Sequence, residues 1–212
     1  MSSPEFEHNK PFAGEIDWSP ETAGLKDFPA RTREVLQSMG YETIFLNGRH
    51  INDLLTGGGI QNISKIFAGQ GFDLPNLRTT QSEIAISRTL FLPGSGSGTV
   101  LQEDKKLEEY RSDLANIDGL ESIRVCRGNL ADYVAIVCRL TEQRKNLKNL
   151  PYYIRTSTTD SEYAGDNNLA LLFSGIIDKG GVDGRKPNLF ARSIPRYAAK
   201  SDIRIAPIIV PE

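Results

Sequence analysis

Pro93-Gly94-Ser95-Gly96-Ser97-Gly98-Thr99 separates a strand-like run, Ile84 to Leu92 (IAISRTLFL), from a helix-like run, Val100 to Asn116. Glycines between a strand and a helix let backbone N–H groups converge on a phosphate, and the helix N-terminus adds partial positive charge. Gly/Ser runs also behave as flexible coil. The neighbouring residues favour the coil. No Lys follows Gly98, so the GxxxxGK[ST] phosphate loop is missing, and the alternating glycines do not make GxGxxG. Thr99-Val100-Leu101-Gln102 fits a capping box, which supplies side-chain partners to the helix's first N–H groups. Glu103 and Asp104 then suit the helix dipole but repel a phosphate. Residues 93–99 are therefore expected to be a flexible connector. Under the phosphate alternative, Gly94, Gly96, Gly98, Thr99 and Arg127 would hold the anion.

Outward from this point the chain changes character. Before it, Asp27 is placed to cap a helix over Phe28 to Met39, with Gly40 as its stop. Tyr41 to Leu46 forms a short strand candidate ending at an Asn47-Gly48 turn. Ile51, Leu54 and Leu55, then Ile60, Ile63, Ile66 and Phe67, have helical spacing on either side of Gly57-Gly58-Gly59. After it, Leu107, Tyr110, Leu114 and Ile117 form one buried stripe of a helix. Beyond Asp118-Gly119, short β-branched and aromatic runs recur between turn signals. They are Ser122–Cys126, Tyr133–Leu140, Tyr152–Thr156, Leu169–Ile177, Leu189–Ile194 and Ile203–Val210. Tyr133–Leu140 is ambiguous, because Leu130, Tyr133, Val134 and Val137 also fit a helix face. Pro207 points to an edge strand or a bulge. The expected architecture is α+β, with a helical N-terminal half packed on a β-rich C-terminal half. Residues 1–18 are expected to be a flexible segment, and 19–212 a single domain.

At 212 residues, 39% apolar and 25% charged, the chain has the size and balance of a globular protein. No run approaches the roughly 18 apolar residues of a membrane span. The N-terminus, MSSPEFEHNKPF, lacks the basic-then-apolar order of a secretory signal. Cys126 and Cys138 do not make a disulfide framework, so a reducing, cytoplasmic setting is the expectation. They are also too few and too far apart for structural zinc, and only His8 and His50 could join them. No metal or cofactor is expected. A Cys–His nucleophile would have to use His50, but both cysteines read as small core residues. Asp160, Glu162 and Asp166 cluster in TDSEYAGD, where polar residues more often satisfy their own loop than hold a cation.

Val125-Cys126-Arg127-Gly128 resembles the arginine element of mono-ADP-ribosyltransferases, and Arg155-Thr156-Ser157-Thr158-Thr159 resembles that family's STS strand. The likeness covers about nine residues. The Glu-x-Glu of that family is not matched, since the corresponding region offers Lys200-Ser201-Asp202. Without the glutamate nothing orients the ribose or activates an acceptor, so no catalytic role is carried over.

The charge distribution is the remaining signal. Residues 1–123 carry 11 Lys and Arg against 18 Asp and Glu, a balance of −7, whereas 124–212 carry 14 against 9, a balance of +5. The basic half includes Lys179, Arg185, Lys186, Arg192, Arg196, Lys200 and Arg204, interleaved with Phe190 and Tyr197. Cations neutralise phosphates and aromatics stack on unpaired bases. The expectation is a non-enzymatic binding or assembly protein whose anionic partner is single-stranded nucleic acid or an acidic protein surface. Arg185, Lys186, Arg192, Arg196, Lys200 and Arg155 would be its contacts. The alternative is a transferase or hydrolase acting on a phosphate-bearing small molecule such as a nucleotide or NAD.

Overall fold

The computed structural model describes residues 25–57, 76–142, 152–159, 167–174 and 188–212. The second half of the proposed helix pair, the TDSEYAGD carboxylates, Lys179, Arg185 and Lys186 lie outside them. The described elements run α1 (Ala30–Ser38), β1 (Tyr41–Asn47), α2 (Ile51–Gly57), β2 (Gln81–Ser87), α3 (Val100–Ala115) and β3 (Ile123–Arg127). They continue with α4 (Leu130–Glu142), β4 (Tyr153–Thr159), β5 (Asn167–Ser174), β6 (Asn188–Pro195), β7 (Ile203–Arg204) and β8 (Pro207–Pro211). The protein is α+β. Its elements do not divide cleanly at mid-chain, since β1 and β2 precede residue 100 and α4 follows it.

Among the described residues, two four-stranded sheets organise the fold. The first has the order β1-β2-β8-β3, antiparallel throughout. The second has the order β6-β5-β4-β7, antiparallel except for the parallel pair β4–β7. The chain passes from the second sheet to the first at Ile205-Ala206, between β7 and β8. What reads as one run from Ile203 to Val210 is therefore two strands in two sheets. Pro207 is not on an edge: it opens β8, which lies between β2 and β3. A first strand residue is a position where proline's missing N–H is tolerated even inside a sheet.

Side-chain alternation along the first sheet builds a core on each face. Ile44, Leu46, Ile84, Ile86, Ile208 and Val210 pack with Ile51 and Leu54 of α2 and with α4. Ala85, Ile123, Val125 and Ile209 pack on the other face with Leu36 of α1 and Leu107 and Leu114 of α3. All five residues of β8 are buried, as a central strand covered on both faces requires.

The ambiguous run Tyr133–Leu140 lies in α4, and the physical reason for the ambiguity is visible. Leu130 to Cys138 are all buried, because α4 contacts α2 and β1 as well as β4 and β5 of the second sheet. A helix covered on all sides shows no polar stripe. Its start is set by Asn129, whose side chain accepts from Asp132 N–H at 2.9 Å while Asn129 N–H donates to the Asp132 carboxylate at 2.8 Å. This reciprocal pair is the capping-box arrangement with Asn and Asp in place of Ser/Thr and Glu.

The start of α1 differs from expectation. Its N-cap is Pro29 and no side chain caps it. The proline disfavours helical geometry at Phe28, so the helix begins beyond Asp27's reach. Asp27 instead lies 3.7 Å from Arg33. Arg33 also grips the fully buried Glu83 of β2 at 2.8 and 2.9 Å, and Glu83 accepts the Phe28 N–H at 2.8 Å. Gly40 closes the helix with φ +87°, a conformation that favours glycine.

Candidate functional site

The N-terminus of α3, the ends of β3 and β4, and the turn after β6 converge on one buried charge cluster. Thr99 caps α3 with the expected box: its hydroxyl accepts from Gln102 N–H, and Thr99 N–H donates to Gln102 Oε1 at 2.9 Å. This fixes the next residue, Glu103, facing inward. Its side chain has no exposed surface. Arg155 of β4 is likewise fully buried, and its Nε lies 3.0 Å from Glu103 Oε2. Arg127, at the end of β3, reaches the same oxygen with Nη2 at 3.2 Å and pairs with Asp104 through Nη1. One carboxylate of α3 therefore holds an arginine from each sheet.

The arginines also serve the backbone. Arg155 donates to Ala198 C=O at 2.8 Å, Pro195 C=O at 3.3 Å and Gly98 C=O at 3.4 Å. Arg127 donates to Val100 C=O at 3.0 Å. Planar guanidinium groups with several fixed donors suit this multi-carbonyl role better than lysine. Burial pushes the Glu103 carboxyl above its ordinary range, with Arg155 and then Arg127 pulling it back. Burial also lowers Arg155, opposed by Glu103. Among the described residues, Glu103 Oε1 has no hydrogen-bond partner.

Residues 93–99 are tied to this cluster. Ser95 is fully buried and its hydroxyl accepts the Ile205 N–H at 3.1 Å, while Leu92 N–H donates to Ile205 C=O at 2.9 Å. Lys106 holds the Gly94 carbonyl at 2.7 Å. Gly96 lies against Arg204, where an added Cβ would fall 1.5 Å from Nη1. The segment thus joins the α3 N-terminus to the crossing between the sheets. Ser95→Ala is expected to cost about 1–3 kcal/mol of unfolding free energy, because the buried Ile205 N–H loses its acceptor. Urea denaturation checks this, and a loss below about 0.5 kcal/mol would mean the bond contributes little.

Of the residues proposed for a phosphate, Thr99 donates its N–H to Gln102 Oε1, and the next N–H groups of the helix also meet protein acceptors. Val100 N–H donates to Arg196 C=O at 2.9 Å, Gln102 N–H to Thr99 and Glu103 N–H to Thr99 C=O. The two fragments that resemble mono-ADP-ribosyltransferases do meet, with Ser157 N–H donating to Gly128 C=O at 2.8 Å. Arg127 there is engaged by two carboxylates and a carbonyl. Burial raises the Cys126 thiol, which lowers its thiolate fraction. Among the described residues no group of three or more His, Cys, Asp or Glu could hold a metal ion, and no helix is long and apolar enough to cross a membrane.

Above the cluster lies a surface recess of about 380 Å³, lined by Thr99, Val100, Leu101, Asp104, Arg196 and Tyr197. Leu101 is 80% and Tyr197 79% exposed, unusual for side chains of this size. Of the basic residues singled out in the sequence, Arg196 is exposed and lines this recess, and Lys200 lies exposed four residues further along the chain. Arg192 sits on β6, opposite Ala170 of β5. Arg155 is separate from the surface set, since its charge is committed inside the fold.

Sequence reasoning missed Glu103 as a buried anchor, and it missed Leu101 and Tyr197 as a surface pair. The available signal for Glu103 was its place directly after the capping box, one helical turn before the buried Leu107. No protein-family model matches the chain, and no curated protein or solved structure is significantly similar to it.

Proposed function

We propose that this is a binding or assembly protein that docks an anionic partner on the turn after β6, with single-stranded nucleic acid as the first candidate. The observation that carries the proposal is Tyr197, an exposed aromatic next to the exposed cation Arg196, with exposed Lys200 three residues on. An aromatic face stacks on an unpaired base while neighbouring cations neutralise phosphates. The turn is held in place: Val100 N–H donates to Arg196 C=O, Arg155 to Ala198 C=O, and Ala198 N–H to Pro195 C=O. A rigid platform lowers the ordering cost of binding. In the sequence, Arg185, Lys186 and Arg192 are further cations of the same basic half. An acidic protein surface is the second reading, favoured by exposed Leu101, which would supply an apolar contact.

The phosphate-substrate enzyme alternative has less support, because the α3 N-terminus and Arg127 are already occupied by protein groups. Fluorescence anisotropy with short single-stranded oligonucleotides tests the proposal. Affinity is expected to fall steeply with salt, and removing Arg196 or Lys200 to flatten the log–log slope by about 0.7 each. Tyr197→Ala is expected to cost about 1–3 kcal/mol of binding. Salt-independent affinity, or none at low salt, would sink the nucleic-acid version.

A further inference from the structure

Among the described residues, Asp104 is the one acidic group lining the recess, beside Thr99, Arg196 and the apolar or aromatic Val100, Leu101 and Tyr197. A carboxylate there is a poor neighbour for a phosphate, yet it is half exposed and held by the Arg127 ion pair. That pair engages Oδ1, while half of the side chain is exposed. The rim offers an aromatic face from Tyr197 and an apolar contact from Leu101, both exposed. Arg196 lines the recess and Lys200 is exposed four residues on, so both can supply positive charge. A flat apolar face, a fixed acceptor and peripheral cations make up the set of groups that recognises a nucleobase rather than a phosphate.

Resting on the nucleic-acid reading above, we infer that the recess binds one unstacked base that carries an exocyclic amino group. The base stacks on Tyr197, and its amino N–H donates to the exposed Asp104 carboxylate. Arg196 and Lys200 meet the flanking backbone. Cytosine and adenine present such a donor, whereas thymine sets a carbonyl against Asp104 at the corresponding position and has only its ring N3–H left to donate. The recess therefore discriminates between bases, and the cations alone do not.

The test compares labelled oligo-dC, oligo-dA and oligo-dT at one salt concentration. Wild-type protein is expected to bind oligo-dC about tenfold more tightly than oligo-dT, the size of one well-placed base contact. Asp104→Asn, which offers a donor as well as an acceptor, is expected to reduce that preference to about twofold or less while keeping the salt slope. Tyr197→Ala is expected to weaken all three. Equal affinity of wild type for oligo-dC and oligo-dT overturns the inference. If that binding is still salt-dependent and lost in Arg196 and Lys200 variants, the anionic-partner reading stands without it. Binding of no oligonucleotide overturns both. The wild-type comparison needs no variant, so a folding defect in Asp104→Asn leaves it decisive.

Discussion

Glu103→Leu is expected to lower the unfolding free energy by about 3–5 kcal/mol, a large share of the stability of a domain this size. The substitution leaves Arg155, with no exposed side-chain surface, and Arg127, nearly buried, without their shared counter-charge. A buried guanidinium cannot shed its proton to escape, so the cost falls on the fold. The singles do not add. Once Glu103 is gone, removing Arg155 also removes the uncompensated charge. The double variant Glu103→Leu/Arg155→Leu is therefore expected to cost about 1–3 kcal/mol less than the sum of the two singles. The carbonyls of Pro195, Gly98 and Ala198 still lose a donor in it, so it does not return to wild type. Urea melts of the four proteins complete the cycle. Additivity within about 0.5 kcal/mol would show that the cluster does not act as a unit.

The cluster's placement explains why such a costly arrangement is kept. Burial raises Glu103 and lowers Arg155, each a sign that desolvation outweighs attraction. Paired buried charges are weak contributors to net stability. What they supply here is register. Glu103 on α3 meets Arg127 from the first sheet and Arg155 from the second, and Arg155 reaches the carbonyls of the turn that carries Tyr197. The triad fixes their relation and, with it, the geometry of the recess above.

How far the sequence revealed this depends on whether the deciding interactions were local. The α3 capping box and its stripe at Leu107, Tyr110, Leu114 and Ile117 were legible, because a helix start and one buried face are written within a few turns. The strands at Tyr41, Ser122, Tyr152 and Leu189 were legible for a similar reason. Tyr133–Leu140 was not settled, since a helix buried on every side loses the polar face that marks its period. Ile203–Val210 looked like one strand because hydrophobicity does not record which sheet a residue joins. Asp27 was a sound cap for its own segment, displaced by Pro29 two residues on. Glu103 and Arg155 were hidden most deeply. In sequence, a first-turn glutamate reads as a dipole partner and an arginine in a basic half reads as surface. Only the approach of β3 and β4 to the α3 N-terminus turns them into a buried pair. Tyr197 stood in the basic stretch, but its exposure depends on the turn at Arg196-Tyr197, which no local motif announced.

Asp132→Ala is the second change expected to be severe, at about 3–5 kcal/mol. Asp132 is almost fully buried and accepts from three donors: Thr80 N–H at 2.6 Å, Thr80 hydroxyl at 3.0 Å and Asn129 N–H at 2.8 Å. Burial raises its carboxyl, and the Thr80 and Asn129 donors oppose that rise. Bonds to a charged acceptor contribute more than neutral ones, and each donor left behind carries its own desolvation cost. The same side chain is half of the α4 cap, so its loss also frays the start of the most buried helix. Asp132 joins the approach to β2 to the β3–α4 turn, where Gly128 N–H already donates to Tyr133 Oη at 3.0 Å and Tyr133 donates to Ala206 C=O at 2.5 Å. Asp132→Ala should therefore destabilise more than Asn129→Ala, which removes the other half of the cap but leaves the Thr80 bonds in place. Hydrogen exchange gives the local check. In Asp132→Ala the Thr80 amide is expected to lose protection, while in Asn129→Ala it keeps most of it. Equal destabilisation by the two variants would mean that Asp132 acts only as a helix cap and does not tie β2 to α4.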